Sequence, residues 1–128
     1  MKKVSSIKSF FHYIGADKMI KVMIKKDQAG SIRGFDISGH SDYAEEDSDI
    51  ICSAVSVTAY TAAGALEDIA GLGDRYSEGD GHMVIYLPDE MTAQQESTAA
   101  IIMETTAIGF KQIGLSYGKY VLVLEEEV

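Results

Sequence analysis

From Ile50 to Ala70 the larger apolar residues stand three or four apart, at Ile51, Val55, Ala59, Ala62, Leu66 and Ile69, which is the spacing of one helix face. No strand absorbs that pattern. A long helix is therefore expected in mid-chain, and its single apolar stripe requires a second layer to lie on. Ala54, Ala59, Ala62, Ala63, Gly64 and Ala65 permit close approach to a sheet or to another helix. That closeness is expected to offset the roughly 1 kcal/mol that Gly64 costs in helix preference. "GLGD", Gly71 to Asp74, is the stop signal.

Alternation on either side supplies the second layer. In "MIKVMIKK" Ile20, Val22 and Ile24 alternate with Lys21, Met23 and Lys25, the period of a strand with one buried face. Met19 is read as the opening of the core domain, 19–128, and residues 1–18 as an N-terminal extension or an artificial remnant. "DQAG" has turn chemistry, and "SIRGFDISGH" alternates again with Phe35 and Ile37 on one face, so the two strands form a hairpin. "HMVIYLP" is a third strand that Pro88 ends. A second helix is expected from about Thr92 to Ile113, with Ile101, Ile102, Thr105, Ile108, Gly109 and Ile113 on one broad face and Gly114 marking its end. "KYVLVLEEE" closes the chain as a strand, its apolar run Tyr120 to Leu124 suggesting cover on both faces. The expected fold is α+β: a mixed or antiparallel four-stranded sheet with two helices, in the order strand, strand, helix, strand, helix, strand.

Composition narrows the function classes. The 128 residues fit one domain with one core. A net charge of −9 and a pI near 4.6 argue against direct binding to nucleic acid and favour a basic partner. No apolar run is read as approaching the length of a bilayer span, so no membrane association is expected. One cysteine makes no internal disulfide, which fits a reducing cytoplasm. The N-terminus "MKKVSSIKSFFHYIGADK" is basic but too mixed for a signal-peptide core.

That cysteine, Cys52, lies within "SGHSDYAEEDSDIICSAVS", three residues after Asp49. If Asp49 is the helix N-cap, unpaired N–H groups and the positive end of the helix dipole favour a thiolate, the nucleophilic form. His40 follows Gly39 at the end of the second strand, twelve residues before Cys52, and a loop of that length is long enough to return the chain there, which makes a pair of nucleophile and general base geometrically possible. Bland readings stand beside these. A lone cysteine next to two isoleucines is a small core hydrophobe, Asp49 a simple cap or an orienter of His40, and Ser56 a helical serine bonded to the preceding turn. A redox sensor would lack a resolving cysteine, and zinc would find only His40, Cys52 and Asp49.

"SGH", the loop and "DIICSAVSVTAY" resemble the signature of the ribosomal-processing cysteine protease (Prp) family: Gly-His, a short loop, then Asp-Ile-Val-Cys-Ala-Ala-Val-Ser. The element order is similar over residues 19 to about 126. The resemblance implies a cytoplasmic endopeptidase that removes the N-terminal extension of a bacterial large-subunit ribosomal protein of the twenty-seven type, or a non-catalytic ribosome-assembly module of the same fold. It implies Cys52 as nucleophile and His40 as general base, with Gly39, Asp49 and Ser56 in supporting or substrate-binding positions. It also implies a homodimer, a ribosomal-protein precursor as partner, and no metal or organic cofactor. Family loops commonly carry glycine, whereas "SDYAEEDS" has none and holds four acids, Asp42, Glu45, Glu46 and Asp47, whose charge would attract a basic substrate.

Overall fold

The computed structural model describes residues 20–39 and 46–128, with side chains for 20–39 and 50–128. The readings made on residues 1–18, Met19, His40 and the loop as far as residue 45 lie outside these residues.

The alternating segments form the strands expected of them. β1, Ile20–Lys26, and β2, Ile32–Ser38, pair antiparallel, with Val22 opposite Ile37 and Ile24 opposite Phe35. The turn between them is closed by Asp27, whose Oδ1 accepts from the N–H groups of Ala29 and Ser31 at 3.0 and 2.9 Å. Ile20, Val22, Ile24, Phe35 and Ile37 are all buried, so one face of the hairpin is core.

The sheet has five strands rather than four. β3, Tyr76–Gly79, forms a hairpin with β4, His82–Tyr86, and the order across the sheet is β3-β4-β2-β1-β5. Its turn, Asp80-Gly81, has positive φ at both residues, 53° and 73°, the conformation a two-residue hairpin loop needs. β5, Val121–Glu127, pairs parallel with β1, so the sheet is mixed.

β5 is an outer strand, and its residues Leu122 to Leu124 are half-buried rather than fully enclosed. Val121 is buried under the helices, while Leu122 and Leu124 sit in register with Lys21 and Met23 on the opposite face, where all four are half-buried. Lateral contact along that face accounts for the apolar run.

Both helices cover the other face. α1, Glu46–Asp68, buries Ile51, Val55, Ala59, Ala62 and Leu66. The chain turns off its C-terminus at Gly71, φ 67°, and the Leu72 N–H donates to the Leu66 carbonyl at 3.0 Å. Ile69 lies beyond the helix and is exposed. Ile50–Asp68 is long and apolar enough, by length and composition alone, to cross a membrane, contrary to the expectation that no run approaches that length. In this fold one of its faces, from Ile51 to Leu66, packs into the core. Gly64 is exposed, and a Cβ there would meet nothing within 4 Å, so close packing does not explain that glycine.

α2, Ala93–Ser116, starts with a capping box: the Gln95 N–H donates to Thr92 Oγ1 at 3.1 Å, and the Thr92 N–H donates to Gln95 Oε1 at 3.0 Å. Its buried face is Ala99, Met103, Thr106, Ala107 and Phe110, with the Phe110 ring edge-on to Phe35 at 5.2 Å. The expected face is turned instead toward solvent at Ile101 and Ile108, 68% and 60% exposed. The core side is carried by Ala99, Met103, Ala107 and Phe110 rather than by the isoleucines, so tracing isoleucines alone misleads. The helix also runs through Gly114, where a Cβ would stand 3.0 Å from Val123; this glycine allows close approach to β5 rather than ending the helix.

Candidate active site

Cys52 is half-buried in the second turn of α1. The helix begins at Glu46, earlier than expected, so Glu46, Asp47 and Ser48 are helical rather than loop, and Asp49 is an interior helical residue rather than the cap. Acids in the first turn complement the positive end of the helix dipole, which explains the earlier start.

Two consequences follow. Dipole stabilisation fades beyond the first turn, so the thiol is not at the helix mouth. The unpaired N–H groups belong to the residues around Glu46, while those near Cys52 fall where intrahelical bonds form. Helix-terminal amides at Cys52 therefore do not form an oxyanion hole.

Ser56 follows Cys52 by four residues and is half-buried on the same flank of α1. Bonds back to the preceding turn occur on this helix at Thr58, to the Ala54 carbonyl at 2.8 Å, and at Thr61, to Val57 at 2.7 Å. Tyr60 continues the flank, and its hydroxyl reaches Glu78 of β3. The Cys52 side of α1 thus faces the β3 edge of the sheet.

Gly39 follows β2 with φ 83°, a conformation that favours glycine, and its N–H donates to the Gly81 carbonyl at 3.0 Å. This ties the start of the Gly-His motif to the β3-β4 turn, at the end of the sheet from which the chain returns into α1. His40 lies outside the described residues, as do the side chain of Asp49 and residues 41–45 of the acidic loop.

His82 is on the other side of the molecule. β4 turns Met83 and Ile85 into the core, so His82 faces away from the helices, where its Nε2 contacts Asp36 Oδ1 and Lys25 Nζ stands 3.5 Å from Asp36 Oδ2. It is not the partner of Cys52. Among the described residues, no group of three or more His, Cys, Asp or Glu is placed to hold a metal ion.

Sequence reasoning missed Tyr60, Tyr76 and Glu78, which meet beside this flank. Their signal was the Asp-Gly turn after Glu78, which marks a hairpin even though the strand before it has little apolar character.

Comparison with known proteins agrees with this architecture. Residues 19–122 match the family described as cysteine protease Prp. The ribosomal processing cysteine protease Prp of Bacillus subtilis (strain 168) is 23% identical over 101 residues, 77% of this chain and 90% of that protein. Among solved structures, SMU.848 from Streptococcus mutans superposes with a TM-score of 0.75 at 23% identity, covering 89% of this chain and 99% of that one. The ribosomal processing protease Prp from S. aureus in complex with a substrate peptide gives 0.68 at 22% identity, covering 84% and 99%.

Proposed function

Because the chain belongs to the cysteine protease Prp family over residues 19–122, we propose that it is a cytoplasmic endopeptidase that removes the N-terminal extension of a bacterial large-subunit ribosomal protein of the twenty-seven type. The observation that carries this reading is the family match across the chain's one cysteine, which stands half-buried on the flank of α1 that faces the sheet edge.

In this reading His40 takes the Cys52 proton and the thiolate attacks the scissile carbonyl, forming a tetrahedral oxyanion. As the C–N bond breaks, the imidazolium gives its proton to the departing amine, leaving a thioester on Cys52. Water then attacks the thioester carbonyl, His40 accepts its proton, and collapse releases the carboxylate product and the thiol. Asp49 assists by orienting His40, since a carboxylate facing the thiol would oppose thiolate formation. Ser56, one turn along, contacts the substrate.

We also assign a homodimer, built on the outer face of the helices rather than on the alanine stripe. Ala59 and Ala62 are consumed by the chain's own core, whereas Ile101, Ile108 and Leu115 form an exposed stripe seven residues apart on α2.

The test is incubation of the ribosomal-protein precursor with the unmodified protein and with Cys52→Ala. Cleavage at the extension by the first alone is expected; binding without cleavage by the unmodified protein would identify a non-catalytic assembly module.

A further inference from the structure

β3 is an outer strand of the sheet, and α1 meets it in a cluster that the Cys52 and His40 chemistry does not use. The Tyr60 and Tyr76 rings stand edge to face, centroids 5.5 Å apart and planes at 66°. Both hydroxyls donate to one oxygen of Glu78, Oε1, that of Tyr60 from 3.3 Å. Burial first, then the bond to Glu78, pushes the Tyr76 phenol above its ordinary range, so it stays a donor. The shared use of Oε1 leaves Oε2 to a third donor, and Glu78 and Tyr60 are exposed.

The backbone beside this cluster also faces outward. The Tyr86 N–H donates to the Arg75 carbonyl at 3.2 Å, which makes these two a hydrogen-bonded pair. Alternation along the ladder gives the next such pairs to Ser77 and Gly79, and turns the N–H and C=O groups of Tyr76 and Glu78 toward the sheet edge. Asp74 Oδ1 accepts from the Tyr76 N–H at 3.1 Å. The Tyr76 C=O and both Glu78 groups remain directed where an added strand would pair.

Cys52, Ser56 and Tyr60 succeed one another at four-residue steps along the same flank. Eight residues of helix rise about 12 Å, a distance an extended peptide covers in about three or four residues.

We propose that the substrate lies as an extended strand along β3 and seats a Lys or Arg side chain, about three or four residues from its scissile bond, against the Glu78 carboxylate that Tyr60 and Tyr76 hold. A carboxylate with one oxygen held by two phenols and the other turned outward suits a cation, and an acidic side chain would meet both Glu78 and the chain's net charge of −9. The inference rests on the protease reading above and names the substrate chemistry of that site.

The test uses Cys52→Ala protein, which blocks turnover by the proposed nucleophile, and fluorescein-labelled synthetic peptides spanning the junction of a large-subunit ribosomal-protein precursor. One set carries a single Lys at the third or fourth residue on either side of the junction; the matched set carries Gln. Fluorescence anisotropy is expected to show Lys binding on the order of tenfold tighter than Gln at one of these positions. Adding Glu78→Gln should erase that difference without weakening the Gln peptides.

Equal dissociation constants for Lys and Gln peptides at every position would overturn the inference even if Glu78→Gln failed to fold. A Lys preference that survives Glu78→Gln would overturn it too. Turnover by the unmodified protein separates the two claims: cleavage indifferent to Lys refutes the cradle and keeps the protease, while Lys-dependent binding without cleavage keeps the cradle and refutes the protease.

Discussion

Gly64 shows how a residue's setting decides what it contributes. It sits on the solvent side of α1, where a Cβ would meet nothing within 4 Å, so its helix cost has no compensating contact in the monomer. Gly64→Ala should raise unfolding stability by about 0.5–1 kcal/mol, read from urea midpoints at unchanged m-value. Phe110 is the opposite case: fully buried and edge-on to Phe35, it fills the space between α2 and the sheet. Phe110→Ala should cost about 3–5 kcal/mol by the same measurement. At Cys52 the setting changed the chemistry, because the second turn of α1 offers neither a helix-end amide nor the full dipole. In the proposed mechanism, activation of the thiol then rests on His40.

Elements were legible where burial is one-sided and illegible where it is not. β1 and β4 alternate cleanly, and β2 does from Phe35 onward, because one face is core and the other is not. β3 was hidden because Ser77, Glu78 and Gly79 are exposed and only Tyr76 is half-buried, leaving the Asp-Gly turn as its one strong mark. The start of α1 was concealed by Glu46 and Asp47, which resemble loop in composition but favour a helix N-terminus electrostatically. The site divides along the same line. Cys52 and Ser56 share one helix and one motif, whereas Tyr60 and Glu78 are 18 residues apart and meet only because β3 exists.

The joint between α2 and β5 yields a pH prediction. Glu125 accepts from Lys111 at 3.0 Å and pairs with Lys26 at 3.3 Å. The Lys111 bond chiefly, opposed by burial and aided by Lys26, holds its carboxyl below the usual carboxylate range. A depressed value means that the pair stabilises the fold above the unfolded carboxyl's pKa of about 4.5 and loses that contribution as pH falls through the lower folded value. Lys111→Met should therefore flatten the acid limb of the stability profile below about pH 4.5. Both groups are well exposed, so the change should stay under about 1 kcal/mol.

For the whole molecule, one sheet face carries the helices and the helices carry an apolar outer stripe. Ile108 lies at its centre, seven residues from Ile101 and from Leu115, so an antiparallel two-fold pairing brings Ile108 onto its own copy and Ile101 onto Leu115. The unmodified protein should sediment as a dimer and Ile108→Asp as a folded monomer; an unmodified monomer would refute that interface. The central claim, that this architecture exists to present Cys52 to a peptide at the sheet edge, is tested most directly by one cleavage assay. Purified precursor of the large-subunit ribosomal protein is incubated with unmodified protein and with Cys52→Ala, and the products are read by mass spectrometry. Loss of the N-terminal extension with the unmodified protein only is the predicted result; equal cleavage by both, or by neither, would contradict it.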